Sequence, residues 1–273
     1  MGSYFRPSSL PDALAALAAR SPPVLVAGGT DHYPIRAVHT PDEAILDITA
    51  LPGLRQIEVR ADHWWIPCLA TWTDMIEAAL PPVFDGLKLA ARQVGGVQIQ
   101  NVGTLAGNVC NASPAADGIP CLLALEASVE LASLSGSRIL PLADFLQGPR
   151  QTARRPDELV LGLRIPRRDE TARSVFLKLG ARRYLIISIA MVAAVITRAA
   201  DGRIARARIA VGSCSATAQR LPALEAGLIG TVGDTLTILD EHLAPLSPIG
   251  DIRATALYRR HAVGTLLRRA VAV

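Results

Sequence analysis

The run Asn101-Val102-Gly103-Thr104-Leu105-Ala106-Gly107-Asn108-Val109-Cys110-Asn111-Ala112-Ser113-Pro114-Ala115-Ala116-Asp117 constrains this chain most, because small residues, hydroxyls and amides replace nearly everything bulky or charged. Its one formal charge is Asp117. Glycine lets the backbone turn through positive φ and approach a ligand closely, and Thr104, Asn108, Asn111 and Ser113 add short polar groups. Such a stretch holds a phosphate without lysine: successive backbone N–H groups form a concavity for an anion, which a following helix N-terminus reinforces. A surface loop of the same composition is the alternative that the stretch alone leaves open.

Another small-residue turn, earlier in the chain and so the first of the two, is Ala27-Gly28-Gly29-Thr30-Asp31, which follows the apolar run Val24-Leu25-Val26 and so sits just after a buried strand. Two phosphate cradles in one chain point to one long ligand. The turn lacks G-x-G-x-x-G spacing, and no helix-length apolar pattern opens directly after it, which disfavours a Rossmann fold. Neither turn offers a cation, so backbone N–H groups and the hydroxyls of Thr30 and Thr104 are left to hold the anion. Asp31 and Asp117 then either accept from hydroxyl donors or face solvent as turn residues.

The rest of the chain reads as α+β. Ser9-Leu10-Pro11-Asp12 is a helix start, with Leu10, Leu14 and Leu17 on one face. Short strands are expected at 44–48, 55–59 and 63–66, a helix at 75–80 capped by Thr73 or Asp74, and another at 87–94. Beyond the central stretch come a helix from Ile119 and strands at 127–132 and 159–165, before Pro166-Arg167-Arg168-Asp169-Glu170-Thr171 breaks the apolar pattern. That break divides the chain into domains at 1–166 and 167–273. In the second, Ser174–Gly180 and the uncharged run Tyr184–Thr197 read as strands, and Asp201-Gly202 as a hairpin turn into Ile204–Val211. Helices are expected at 221–228, 235–243 and 253–271, the last with Leu257, His261, Gly264, Leu267 and Val271 on one buried face.

Composition excludes several function classes. With 50% hydrophobic and 19% charged residues, 273 residues suffice for two folded domains. A net charge of +4, from 28 basic against 24 acidic residues, is too mild for a nucleic-acid partner. Cys68, Cys110, Cys121 and Cys214 make no C-x-x-C pair and His32, His39, His63, His242 and His261 are dispersed, so no metal or cluster site is expected on this chain. The run 184–197 is too short to span a membrane, and Met1–Pro11 does not resemble a secretory leader, so a cytoplasmic location is expected.

Val26-Ala27-Gly28-Gly29-Thr30-Asp31, with Gln98-Ile99-Gln100-Asn101-Val102-Gly103-Thr104-Leu105-Ala106-Gly107-Asn108 and Ala112-Ser113-Pro114-Ala115-Ala116-Asp117, resembles the paired FAD signatures of the medium subunit of molybdenum hydroxylases. The family includes the flavin subunits of xanthine dehydrogenase, nicotinate dehydrogenase, aldehyde oxidoreductase and carbon monoxide dehydrogenase. The similarity runs from Tyr4-Phe5-Arg6-Pro7 to Leu267-Arg268-Arg269-Ala270-Val271. It implies a two-subdomain FAD-binding domain of the vanillyl-alcohol-oxidase-like type, followed by a smaller α+β domain of antiparallel sheet and helices. It further implies that Leu25, Val26, Ala27, Gly28, Gly29, Thr30, Asp31 and His32, with Thr104, Leu105, Ala106, Gly107 and Asn108, line the FAD phosphates and ribityl chain. Asp117 would bind further along the cofactor, and Val160 and Lys178 would flank the flavin ring. Lys178 is one of only two lysines, which hints independently that an ammonium is wanted there.

The sequence departs from the family at Gln100 (usually arginine), Ala106 (commonly glycine) and His32-Tyr33 (an aliphatic pair). Lys178-Leu179-Gly180-Ala181-Arg182-Arg183 with Ile187-Ser188 resembles the xanthine, nicotinate and aldehyde branch more than the carbon monoxide branch, and the cysteine-rich insertion of benzoyl-coenzyme-A reductases is absent. No nucleophile with a partnered base is evident, so no catalytic residue is nominated. The resemblance implies a large subunit with the molybdenum cofactor and a small one with 2Fe-2S clusters, in a heterotrimer or its dimer. This chain would be the electron exit to NAD, a quinone, a cytochrome or oxygen. The alternatives are a self-contained FAD-dependent oxidase or reductase of the same superfamily and a non-catalytic scaffold.

Overall fold

The computed structural model describes residues 2–36, 42–233 and 237–272. His39 and the start of the helix expected at 235–243 lie outside them. The chain begins with β1 (Tyr4–Phe5), α1 (Leu10–Leu17), β2 (Val24–Val26), α2 (His32–Ile35) and β3 (Ile45–Asp47), whose strands pair parallel in the order β1-β3-β2. The α1 helix forms as its sequence indicates. The Ser9 hydroxyl accepts from the Asp12 N–H, Pro11 falls in the first turn, and Ala13, Leu14 and Leu17 are buried.

A second layer holds β4 (Glu58–Val59) and β5 (His63–Pro67), then four helices: α3 (Trp72–Glu77), α4 (Asp85–Ala91), α5 (Val97–Val102) and α6 (Leu105–Asn111). After α7 (Gly118–Ala124) come β6 (Ser128–Ser133), β7 (Gly136–Pro141), α8 (Leu142–Phe145), the hairpin β8 (Leu146–Gly148) and β9 (Gln151–Thr152), and β10 (Leu159–Pro166). The five-stranded sheet runs β4-β5-β10-β6-β7, every pair antiparallel. The helix expected at 75–80 starts earlier. Thr71 is its cap, in a reciprocal box with Asp74, so Thr73 and Asp74 are not caps. The central stretch is also less loop-like than its composition suggests, since α5 and α6 take up most of it.

The C-terminal part opens with β11 (Arg173–Leu179), β12 (Ala190–Arg198), β13 (Ile204–Gly212) and β14 (Gln219–Arg220), an antiparallel sheet in that order, followed by α9 (Pro222–Leu228) and α10 (Ala256–Val271). Both faces of this sheet are covered. Met191, Ala193 and Val195 join the core shared with the N-terminal part, while Ala190, Val192, Ala194 and Ile196 join a second core with α9 and α10. Burial on both faces explains why β12 reads as an unbroken apolar run rather than an alternating one. The run is not strand throughout, however. Tyr184, Leu185 and Ile187 are exposed in the connection before β12, at 61%, 58% and 49%.

The buried face expected of α10 is borne out at Gly264, Leu267 and Val271 and not at Leu257 and His261. Its buried side carries Arg259, Val263, Leu266, Leu267 and Ala270, whereas His261 faces solvent and Leu257 is 66% exposed. The Arg259 guanidinium replaces the packed histidine, donating to the carbonyls of Ile189 and Ser213 and to the Asp251 carboxylate. Residues 237–239 are not helical, and only a single 3-10 turn forms at Asp240–Leu243.

One buried carboxylate illustrates how polar groups are kept inside. Glu158, 3% exposed, takes a forked pair of bonds from Arg138 (2.6 and 2.8 Å) and one from the Arg155 N–H at 2.7 Å. Burial pushes its carboxyl up, but the Arg138 fork and the Arg155 N–H outweigh that and leave it below its ordinary 4.5. The unfolded chain therefore binds the proton more tightly. The stabilisation is present above 4.5 and lost as pH falls through the depressed value. Glu158→Gln should lower the unfolding free energy by about 1–3 kcal/mol at neutral pH. In paired denaturant titrations, its difference from the parent should shrink on acidification below the ordinary glutamate range; a pH-independent difference would contradict the assignment.

Candidate functional site

The two small-residue turns meet. A Cβ on Gly28 would stand 1.9 Å from the Val102 carbonyl oxygen, and one on Gly103 would stand 3.3 Å from Thr30 Oγ1, so the first turn lies directly on the start of the central stretch. Gly29 has φ of 65°, and a Cβ there would strike the Tyr33 ring. The second turn is fixed from beneath by backbone bonds. The Trp72 N–H donates to the Gly103 carbonyl and the Leu105 N–H to that of Ala70, both at 3.1 Å. The buried Trp72 ring forms a floor under Gly103 and Gly118, where a Cβ would come within 3.4 and 2.6 Å of it.

This arrangement leaves donors unused. Among the described residues, the N–H groups of Gly28, Gly29, Thr30 and Asp31 have no acceptor within the chain, nor has that of Ala106 in the first turn of α6. The Thr104 hydroxyl caps α6, accepting from the Gly107 N–H at 2.9 Å, so its own proton remains available. Asn108 Oδ1 is buried with no partner, an acceptor awaiting a donor. Free N–H groups for an anion, and a buried acceptor for a hydroxyl or imide, suit a phosphorylated, polyhydroxylated cofactor such as FAD.

Asp117, at the start of α7, is 6% exposed and its carboxylate is fully engaged. Lys178 Nζ on β11 donates to Oδ2 at 2.5 Å, and the Ser188 hydroxyl, in the connection to β12, donates to Oδ1 at 2.6 Å. Burial pushes the Asp117 carboxyl above its ordinary value, with the Lys178 ammonium and the bonds from Lys178 and Ser188 pulling the other way. The acid of the N-terminal part is thus joined to two donors of the C-terminal part. Its side chain holds the Lys178 ammonium in place.

The structure brings Gly28 and Thr30 against Val102 and Gly103, immediately before Thr104 and α6, and joins Asp117 to Lys178 at the start of α7. Other nominated side chains point elsewhere. Val26, Leu105 and Ala106 are core residues, so only their backbone is open to a ligand, and Leu25 and Ala27 pack against the same core. His32 Nε2 lies 3.2 Å from a Glu43 carboxylate oxygen, and its ring meets Tyr33 edge-on. Val160 is 4% exposed, but β10 bulges between Val160 and Gly162. The bulge leaves Leu161 as the half-buried side chain there. Gln100, in the family's arginine position, staples α5 to the end of α4 through the Arg92 and Val94 carbonyls.

Sequence reasoning missed Ser188 as a partner of Asp117, and Arg150, whose guanidinium reaches Asp31 and Asn111. Neither carries a local signal, because each is separated from its partner by dozens of residues. Arg150 also corrects the expectation that no cation accompanies the turns.

Residues 1–168 match the FAD binding domain in molybdopterin dehydrogenase, and residues 176–272 match the CO dehydrogenase flavoprotein C-terminal domain. The chain is 31% identical over 274 residues to the nicotine 6-hydroxylase medium subunit of Paenarthrobacter nicotinovorans, covering 98% of this chain and 95% of that one. It is 34% identical over 193 residues to the nicotinate dehydrogenase FAD-subunit of Eubacterium barkeri, covering 68% of this chain and 65% of that one. A chain of a solved Cu,Mo-CO dehydrogenase, in its cyanide-inactivated form, superposes with a TM-score of 0.91 at 28% identity, covering 99% of this chain and 96% of that one.

Proposed function

We propose a function that proceeds from the family: this chain belongs to the FAD-binding medium subunits of the molybdenum hydroxylases, and we infer that it is the electron exit of such a complex. The observation that supports this best is the meeting of the two glycine turns, with unpaired N–H groups along the Gly28–Asp31 turn and a buried, unpartnered Asn108 acceptor on the helix that follows the other. FAD supplies a centre that accepts electrons singly or in pairs, while the protein supplies binding, orientation and electrostatics.

On this reading Gly28 to Asp31 and Thr104 to Asn108 would hold the diphosphate and ribityl chain. Asp117 and Ser188 fix the Lys178 ammonium, which would supply positive charge to the flavin when FAD is bound. Leu161 joins Val160 as the β10 contact. The FAD domain is placed at 1–166 and the C-terminal domain at 167–273. Electrons would arrive from a small 2Fe-2S subunit, after oxidation of substrate at a large molybdenum-cofactor subunit, and leave for an external acceptor such as NAD. Among the described residues no helix is long and apolar enough to cross a membrane.

Denaturing the purified complex tests the cofactor assignment. Release of FAD stoichiometric with this chain is expected. A colourless preparation that releases no flavin and takes up none on reconstitution would overturn it.

A further inference from the structure

Arg150 stands in the tight turn between β8 and β9 at φ of 58°, a left-handed conformation unusual for a residue with a side chain. Its N–H donates at 3.0 Å to the carbonyl of Ala112, itself the left-handed C-cap of α6. The hairpin is thereby pinned to the end of the central helix. From that anchor one nitrogen, Nη1, donates to Asp31 Oδ2 at 2.9 Å and to Asn111 Oδ1 at 2.7 Å. Asp31 ends the first glycine turn. Asn111 lies three and four residues beyond Asn108 and Gly107, on the same face of α6.

A guanidinium has five N–H donors in one plane, and the two on Nη1 are now accounted for. Among the described residues Nε and Nη2 have no acceptor, and the side chain is 56% exposed. Nε and Nη2 form the edge that meets two phosphate oxygens side by side. The other cation of the site, Lys178, is committed to Asp117. Arg150 therefore brings an oriented and unfilled pair of charged donors to a cradle otherwise built from backbone N–H groups.

We propose that Arg150 is a binding residue for the diphosphate of FAD, its Nε–Nη2 edge turned to the phosphate oxygens and its Nη1 held in place by Asp31 and Asn111. This rests on the FAD reading above. It assigns to Asp31 the task of orienting Arg150, and it supplies the cation that the two turns lack.

The test uses the assembled complex, stripped of flavin and titrated with FAD and with riboflavin, which carries no phosphate. Arg150→Gln should weaken FAD binding about ten- to a hundredfold and flatten its salt dependence, while riboflavin affinity stays within about twofold. Arg150→Lys keeps the charge but loses the side-by-side donors, so its FAD affinity should fall between the two; it carries the test if the glutamine variant does not assemble. Equal weakening of FAD and riboflavin would mean that Arg150 only staples the turns, and unchanged FAD affinity would mean that it faces away from the phosphates. Either overturns the assignment. A parent complex that takes up no FAD would remove the cofactor reading itself, and this inference with it.

Discussion

Asp117→Ala is expected to lower the unfolding free energy by about 3–5 kcal/mol. Asp117 and Lys178 have side chains only 7% exposed each, so the variant leaves an ammonium buried without its counter-charge. It also leaves the Ser188 hydroxyl, 1% exposed as a residue, without its acceptor. The pair joins β11 to α7, so the loss should fall on the junction between the two parts of the molecule, and flavin should leave before the chain unfolds. Asp117→Ala combined with Lys178→Met removes both charges and should recover much of the stability, because a well-packed apolar pair often matches a buried ion pair. It should not recover normal flavin chemistry, since the ammonium is gone. Denaturant unfolding of the single and double variants decides the matter: a single variant within about 1 kcal/mol of the parent would mean that the pair is solvated in solution.

Gly28→Ala should act chiefly on cofactor affinity. An added methyl would lie 1.9 Å from the Val102 carbonyl oxygen and 2.7 Å from its carbon, which are backbone atoms that no rotamer change can move aside. The first turn must therefore separate from the central stretch. Overpacking of this kind costs about 1–3 kcal/mol in stability. Losing two N–H bonds to an anion would weaken FAD binding by about a hundredfold or more. Gly264→Ala is the control. A Cβ there meets nothing within 4 Å, and alanine favours the helix interior, so stability should rise slightly with affinity unchanged. Equal affinities for the Gly28→Ala variant and the parent would place the phosphates elsewhere.

How far the sequence carries this structure depends on the range of each signal. Local signals survive well: Ser9 caps α1 and Leu14 and Leu17 are buried, and Asp201-Gly202 turns the β12–β13 hairpin. Errors arise where a tertiary contact overrides a local pattern. Thr71 rather than Thr73 caps α3 because Thr71 also bridges to Thr104, which fixes where the helix begins. On α10, Gly264, Leu267 and Val271 are buried as expected, but His261 is not, because the face turns toward a buried Arg259 that is satisfied by distant carbonyls and Asp251 and counts as polar in any pattern. Tyr184, Leu185 and Ile187 look like core by composition and lie at the surface near Ser188.

The candidate site divides the same way. Gly28, Gly29, Thr104 and Asn108 are legible because small residues at turns have few other reasons to cluster. The Arg150–Asp31 contact spans 119 positions, and Ser188–Asp117 spans 71, so neither is visible before the chain is folded. Asp117, which the resemblance assigns to the cofactor, also has two partners within the chain, Lys178 and Ser188. The charge it overlooked, Arg150, keeps Nε and Nη2 without an acceptor among the described residues.

The most direct test of the central claim is affinity purification of a tagged full-length chain from its native host, followed by an absorbance spectrum and identification of the co-purifying chains. The account predicts a flavin band overlaid with iron–sulfur absorption, and two partners, one large and carrying molybdenum, one small and carrying the clusters. A solitary flavin-bearing chain that turns over a small molecule without either partner would contradict it.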